Sequence, residues 1–168
     1  PDYYFKDPFT WDLFIERLNL EFRKKLARDP HYLTDNTAIV EFARGGERGF
    51  AAALERLDPA ILARAGLVYI DVSYAESVRK NRRRFRPERA DSVLYHSLPD
   101  DKMEFYYRTN DWATLAGSAT SGRIPVQGFQ VPFAVFPNEP ERTDDPAKLG
   151  PALEEVLGRL WAILHEAR

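Results

Sequence analysis

Arginine is concentrated in one short stretch of this sequence. Five arginines fall between residues 79 and 86, and residues 79–90 hold seven basic side chains and one acidic one, a net charge of +6. The guanidinium group presents a planar fork of N–H donors that matches the oxygens of a phosphate. Because like charges repel, such a cluster needs a bound anion or neighbouring carboxylates. The stretch therefore predicts a phosphate-binding segment, with a solvated basic helix face as the alternative.

The rest of the chain is acidic, which narrows the choice of anionic partner. It holds 17 basic and 25 acidic residues, a net charge of −8, so the whole chain carries −2. Nucleic-acid-binding domains are usually basic overall and place aromatic rings among their basic residues, whereas Phe85 is the one aromatic residue within 79–90. A small phosphorylated molecule is therefore the expected ligand. A nucleic-acid-binding domain is kept as a further alternative, and a steep salt dependence of oligonucleotide binding would support it.

Two further groups of residues could act on a bound phosphate. Glu41 ends a short apolar stretch and is followed by Arg44 and two glycines, an arrangement that could hold Mg2+ or activate a water. Asp2 is flanked by Tyr3 and Tyr4, and an acid among aromatic rings suits a hydroxyl-bearing substrate. The structural alternatives are a Glu41–Arg44 ion pair and a frayed terminus.

Several other kinds of site find no support in the sequence. The chain has no cysteine, which excludes disulfides, thiolate metal sites and cysteine nucleophiles and agrees with a cytoplasmic protein. Residues 117–124 contain two glycines at the spacing of a phosphate-binding loop, but Arg123 and Ile124 replace the lysine and the hydroxyl residue. No apolar run approaches the ~20 residues of a membrane span, so no membrane partner is expected.

The hydrophobic pattern predicts a single α/β domain over residues 1–168 to position these groups. Helical spacing predicts helices at 11–28 and after Asp145. Ser73 followed by Glu76 three residues later predicts a cap for a further helix, which begins near residue 74 and ends at Pro87. Short apolar runs predict strands at 37–42, 67–72 and 131–136, while 117–130 has the composition of a loop. Strands without a polar face that alternate with helices indicate a three-layer sandwich, with a mainly parallel sheet and helices on both faces. Polar residues that follow the strands would then meet at the carboxyl edge of the sheet.

The order of these features resembles one known family. Its members are the P-loop kinases of the uridine kinase and phosphoribulokinase type, and nearly the whole chain takes part in the resemblance. Individually loose matches follow in the family's order: Asp2-Tyr3-Tyr4-Phe5, residues 7–12, the stretch ending at Glu41, residues 67–84, and residues 131–136 with Asn138. The glycine-rich Walker A loop that defines the family is absent from this sequence. We therefore expect that the family's first strand is missing from the chain.

The resemblance implies ATP-dependent transfer of a phosphoryl group to a nucleoside or sugar phosphate, with ATP and Mg2+ as cofactors. It implies that Asp2 orients the substrate hydroxyl or takes its proton, that Glu41 holds Mg2+, and that Arg44 lies at the acceptor with Tyr3 and Tyr4. A lid at 79–98 would close over the transferred group. In that lid Arg82 and Arg83 would be catalytic, and the implied nucleotide ligands are Arg79, Arg84, Arg86 and Asn138.

One non-enzymatic function of the same fold stays open. A domain that kept the binding site and lost catalysis would be a regulatory module for a nucleotide or phosphate. A Walker A loop upstream of Asp2 would favour the kinase over this module. The oligomeric state is also open, and a homodimer is one of its alternatives.

Overall fold

The computed structural model describes residues 5, 7, 9–89, 92 and 95–166. Its α-helices are α1 (Phe9–Arg28), α2 (Tyr32–Asp35), α3 (Gly49–Leu54), α4 (Pro59–Leu62), α5 (Tyr74–Arg84), α6 (Asp100–Tyr107), α7 (Trp112–Ala116) and α8 (Pro146–His165). The strands are β1 (Leu67–Asp71), β2 (Ser121–Val126) and β3 (Phe129–Pro137). The helices predicted at 11–28, after residue 73 and after Asp145 are therefore confirmed as α1, α5 and α8. None of the helices in these ranges combines the length and the apolar character needed to cross a bilayer.

The three strands form one mixed sheet in the order β1-β3-β2. β1 runs parallel to β3, with Leu67 opposite Phe133. β2 runs antiparallel to β3, with Ile124 opposite Val131. A parallel arrangement therefore holds for the β1–β3 pair, whereas β2 and β3 form a hairpin. Gly128 in the hairpin turn has a φ of +83°, a conformation that favours glycine.

The central strand β3 is buried on both faces of the sheet. Val131 and Phe133 belong to a core that is shared with α1, α3, α4 and α7. Ala134 and Phe136 point the other way and pack against α8. This alternation is the ordinary geometry of a strand, and it explains why residues 131–136 are apolar without interruption. The predicted α/β class is confirmed, and helices cover both faces of this small sheet.

Two predicted segments differ from the structure. The strand predicted at 37–42 is wrong, because residues 36–45 run without strand pairing and Ile39 is 89% exposed. A strand needs a neighbour that supplies hydrogen bonds, and among the described residues no strand pairs with this segment. The loop predicted at 117–130 is also wrong in part, since it contains β2. Pro125 lies in this strand at the edge of the sheet, where a missing N–H is tolerated.

Candidate functional site

Helix α5 begins at the carboxyl end of β1 and carries most of the arginine cluster. Its cap is Ser73, whose side chain accepts the backbone N–H of Glu76 at 3.2 Å. The N–H of Ser73 donates in turn to the Glu139 carboxylate at 2.9 Å. Because β1 and β3 are parallel, the loop after β3 lies beside the first turn of α5. The arginines therefore lie near the carboxyl edge of the parallel pair, which is where ligands of α/β sheets usually bind.

Carboxylates surround the arginines on one side of α5. Glu141 pairs with Arg79 at 2.6 Å and with Arg83 at 3.0 Å, and the Lys80 ammonium lies 3.7 Å from the same carboxylate. Arg79 also pairs with Glu76 at 2.6 Å. We call these five residues the Glu141 cluster. The side chain of Glu141 is 10% exposed, whereas those of Arg79 and Arg83 are about half exposed, at 48% and 49%.

An ion pair with α6 holds the other side of α5. The guanidinium of Arg82 donates to the carboxylate of Asp100, the first residue of α6. The Asn81 amide donates to the Leu98 carbonyl at 2.6 Å and accepts the Leu98 N–H at 2.9 Å. Helix α5 is thus held between the loop after β3 and the beginning of α6.

These ion pairs shift the pKa values of their members. Hydrogen bonds from Arg79 lower the pKa of Glu76 and of Glu141, and the bond from Arg82 lowers the pKa of Asp100. The pKa of Arg79 is raised by its bonds to Glu76 and Glu141. All of these groups are therefore charged at neutral pH. Carboxylates therefore neutralise a large part of the positive charge that the sequence concentrates at residues 79–90.

Two of the predicted nucleotide ligands lie outside the Glu141 cluster, at the C-terminal end of α5. Arg84 is the last residue of α5 and Arg86 follows it, and both side chains are exposed. Neither has a carboxylate partner within the part of the chain that the structure describes. The Arg86 N–H donates to the Tyr95 carbonyl at 3.2 Å, which ties this end to the following loop. An external anion can therefore reach Arg84 and Arg86 without displacing a carboxylate.

Asn138 lies at the same edge of the sheet but has a structural role there. It is buried, its N–H donates to the Asp71 carbonyl at 2.9 Å, and its side-chain oxygen accepts the Arg142 N–H at 2.9 Å. These bonds fix the loop that carries Glu141. Its predicted contact with a nucleotide stays a prediction.

A groove of about 430 Å³ lies beside Glu141. The loop after β3 and the first turns of α8 form its walls. Arg142 and Lys148 bring positive charge to the groove, and Glu155 brings a carboxylate. Its volume is within the usual range for small-molecule sites.

Arg44 lies in a second site, between α1 and the end of α6. Its guanidinium lies over the ring of Trp11, 5.1 Å from the centroid. One of its terminal nitrogens, Nη1, is buried and has no hydrogen-bond partner among the described residues. Burial lowers the pKa of Arg44, while the charges of Asp12, Tyr107 and Asp111 oppose that shift. A half-buried guanidinium with an unused buried N–H is suited to an anionic group or a carbonyl oxygen.

Glycines after Arg44 let the backbone pack against α6. A Cβ at Gly45 would lie 1.9 Å from the Tyr106 carbonyl oxygen, so only glycine fits. Gly46 has a φ of +87°, and its N–H donates to the Thr109 carbonyl at 2.8 Å. The two glycines that the sequence places after Arg44 therefore position its side chain.

The structure brings the aromatic N-terminal segment to the same place. The Phe5 N–H donates to the Tyr106 hydroxyl at 2.8 Å, and the rings of Phe5 and Trp11 meet edge to face at 5.0 Å. Arg44 lies over that same Trp11 ring. The N-terminal aromatic segment and Arg44, which were predicted as separate groups, are therefore neighbours. The predicted substrate residues Asp2, Tyr3 and Tyr4 lie outside the described residues.

Glu41 does not have the position that the sequence predicted for it. It is exposed on the unpaired segment 36–45, so it does not end a strand at the edge of the sheet. Within the described ranges, no group of three or more His, Asp or Glu side chains could hold a metal ion. Magnesium usually takes one or two carboxylates together with substrate phosphates and water, so Mg2+ that is bound to a nucleotide needs fewer protein carboxylates than such a group supplies.

Sequence reasoning missed Asp111, a buried carboxylate next to the Arg44 site. Its two oxygens accept the N–H groups of Phe50 and Ala51, each at 2.8 Å, in the first turn of α3. In the sequence it stands directly before α7, which favours a local helix cap and gives no sign of a bond to α3. Its distant partners could not be found from spacing.

Helix α6 joins the two parts of the candidate site. Its first residue, Asp100, pairs with Arg82, and near its end Tyr106 contacts Phe5. A helix of eight residues is about 12 Å long, so the two parts are separated by roughly the length of a small ligand. Comparisons of the chain with protein-family models, curated proteins and solved structures found no match.

Proposed function

We propose that this domain is a P-loop kinase-like phosphotransferase that uses ATP to phosphorylate a small hydroxyl-bearing compound, a nucleoside or sugar phosphate. The position of α5 carries the proposal: the helix directly follows the parallel strand β1, and its Arg79 and Arg83 face the loop after the neighbouring strand β3. Guanidinium groups there can neutralise a phosphoryl group in transfer. Arg82 and Arg83 are the proposed catalytic residues, with Arg79, Arg84 and Arg86 as nucleotide ligands.

The second part of the site supports an acceptor position. Arg44 offers an unused N–H beside the aromatic rings of Trp11 and Phe5, and α6 links this place to Arg82. We propose that the acceptor lies there, with Asp2 acting on its hydroxyl. Mg2+ would neutralise phosphate charge when bound with ATP, and Glu41 is its proposed ligand, although its exposed position gives no defined metal geometry.

The proposed complete fold is a three-layer sandwich with one more strand beside β1. Val68 and Ile70 on this edge strand are 40% and 57% exposed, and Ile39 in the unpaired segment 36–45 is 89% exposed. Phe42, in the same segment, packs on the core that also receives β1. A parallel strand between β1 and 37–42 would bury these side chains and supply hydrogen bonds to both neighbours. The first strand of the resembled family is the proposed occupant.

Titration with ATP, with and without Mg2+, tests the proposal on this chain and on any longer form of it. A panel of nucleosides and sugar phosphates then serves to measure transfer of the γ-phosphoryl group. Where transfer occurs, the double variant Arg82→Ala/Arg83→Ala is expected to lower its rate on the order of a thousandfold, because the arginines stabilise the charge in transit. The matched control is Arg17→Ala/Arg28→Ala, two exposed arginines of α1, which is expected to retain the rate. If neither form binds ATP, the proposal fails.

The second candidate is a regulatory module that binds a nucleotide or phosphate without transferring it. The ion pairs of Arg79, Arg82 and Arg83 with carboxylates favour it over the kinase, because engaged arginines are less able to stabilise charge in transit. The exposed Arg84 and Arg86 can still bind a phosphate. ATP binding without transfer by either form of the chain, over the whole substrate panel, would support the module.

A further inference from the structure

We infer that Arg79, Lys80 and Arg83 form an oxyanion site in which the carboxylate of Glu141 takes the place of the ligand. Arg79 Nη2 and Arg83 Nη2 lie 2.6 Å and 3.0 Å from its oxygens, and Lys80 Nζ lies 3.7 Å away. The Thr143 hydroxyl donates to the same carboxylate at 3.2 Å. Three cationic side chains and a hydroxyl therefore converge on one carboxylate.

Glu141 is one of three carboxylates that neutralise these cations, together with Glu76 and Asp144. Arg79 uses Nε and Nη2 on Glu76 and only Nη2 on Glu141, while Arg83 uses Nη2 on Glu141 and has Nη1 3.6 Å from Asp144. A phosphate or polyphosphate group supplies more oxygens and more negative charge than the Glu141 carboxylate, so it can bind Arg79, Arg83 and the Lys80 ammonium in its place. The two arginines are about half exposed, at 48% and 49%, so a dissolved anion can reach them.

The backbone that carries Glu141 is fixed, whereas its side chain borders open space. Asn138 holds the loop through bonds to Asp71 and Arg142. The groove of about 430 Å³ lies along Glu141, with Lys148 also on its wall. The groove gives the Glu141 side chain space to rotate into, while an oxyanion reaches Arg79 and Arg83 from their own exposed side. Glu141 is then an internal competitor of the ligand.

The competition has a direct consequence for affinity. Replacing the carboxylate by an amide of the same shape removes the negative charge and leaves the three cations in place. The ligand then no longer has to displace a charged hydrogen-bond acceptor from them. This inference rests on the proposed phosphate-binding role of α5, but it requires neither a nucleotide nor phosphoryl transfer.

Calorimetric titration with sodium tripolyphosphate tests the inference on the wild type and on Glu141→Gln. The variant is expected to bind on the order of tenfold more tightly, the gain that corresponds to one charged hydrogen bond. The control Glu154→Gln removes the same charge at an exposed position of α8 outside the groove and is expected to change affinity less than about twofold. Equal gains in both variants, or none in a folded Glu141→Gln protein, would overturn the inference.

A second variant covers the case in which Glu141→Gln does not fold. Glu141→Asp keeps the charge but shortens the side chain, so the carboxylate retracts from Arg79 and Arg83. It is expected to bind tripolyphosphate more tightly than the wild type and less tightly than the glutamine variant. Affinity equal to the wild type in a folded Glu141→Asp protein would count against the inference.

ATP titration of the same proteins separates this inference from the proposed function. A gain for tripolyphosphate without any ATP binding would support the oxyanion site and contradict the phosphotransferase. ATP binding and transfer without a gain in Glu141→Gln would contradict the competitor role of Glu141 and support the phosphotransferase.

Discussion

Asp111 is a carboxylate inside the protein, and its surroundings explain why it is tolerated there. It is 4% exposed, and its two oxygens accept the N–H groups of Phe50 and Ala51. Those N–H groups begin α3 and have no acceptor inside that helix. One side chain therefore satisfies two donors and ties the turn before α7 to the segment that follows Arg44.

Substitution of Asp111 by alanine should destabilise the protein. The change leaves two N–H groups of α3 without their acceptor, and we expect the free energy of unfolding to fall by about 2–4 kcal/mol. Urea denaturation measures the effect. The control Asp35→Ala, at an exposed position, is expected to stay within about 0.5 kcal/mol of the wild type. An Asp111→Ala protein as stable as this control would show that other groups satisfy α3.

Local residue roles were predictable where both partners are near in sequence. Ser73 and Glu76 form the predicted cap of α5, because a cap joins residues three apart. Asp111 and Glu141 act on residues far away in the chain, and spacing holds no information about such partners. The contact between Phe5 and Tyr106 was unpredictable for the same reason.

Helix α5 is attached to the rest of the protein mainly by charge. None of its residues is fully buried, and its fixed contacts include ion pairs with Glu141 and Asp100. Most helices dock through an apolar face instead. The attachment of α5 should therefore respond to pH more than the attachment of α8, which packs through Val156 and Leu160.

Acidification should release α5 before it releases α8. The pKa values of Glu76, Asp100 and Glu141 are lowered in the folded protein, so their ion pairs contribute above the ordinary values of 4.5 for glutamate and 3.8 for aspartate. That contribution is lost as the pH falls through the lowered values, because the protonated carboxyls no longer pair with arginine. Amide NMR signals from pH 7 downward measure the release. Simultaneous loss of α5 and α8 signals would contradict separate attachment.

The elements themselves were predictable to different degrees. The apolar runs at 67–72 and 131–136 predicted β1 and β3, and helical spacing predicted α1 and α8. The run at 37–42 has the composition of a strand, but composition cannot show whether a neighbour is present to pair with it. Strand β2 was missed because Gly122 and Pro125 are typical of loops, whereas an edge strand tolerates both.

For the molecule as a whole, β3 connects the two layers of helices. Phe133 belongs to the core on one face of the sheet, and Phe136 to the core on the other. Each face depends on the same strand for its position. Loss of packing on one side is therefore expected to affect the stability of the entire domain.

Truncation of Phe133 should measure this dependence. Phe133→Ala removes a buried ring that meets Trp112, and we expect a loss of about 3–5 kcal/mol in the free energy of unfolding. The control Phe105→Ala removes a ring that is 69% exposed and should cost much less. Circular dichroism and tryptophan fluorescence in urea should report the same transition. Separate transitions would show that the two faces unfold independently.

The general placement of the candidate site was predictable, but the carboxylates that neutralise its arginines were not. Alternation of strands and helices predicts that residues after β1 and β3 lie at one edge, and α5 and Asn138 do lie there. Sequence composition shows an excess of arginine at 79–90 but not which carboxylates approach it. Two of those carboxylates are Asp100 and Glu141, whose positions depend on the complete fold.

The strand order β1-β3-β2 also determines when the sheet can form during synthesis. The strand at its centre is the last of the three to leave the ribosome, so β1 and β2 have no hydrogen-bonding partner until residues 129–137 emerge. Pairing of Leu67 with Phe133 then closes a long loop, an event of high contact order that is slow. Nascent β1, with its exposed Val68 and Ile70, remains open to aggregation until β3 is made. Protection of this strand by a chaperone would therefore matter most between the synthesis of residues 67–71 and that of residues 129–137.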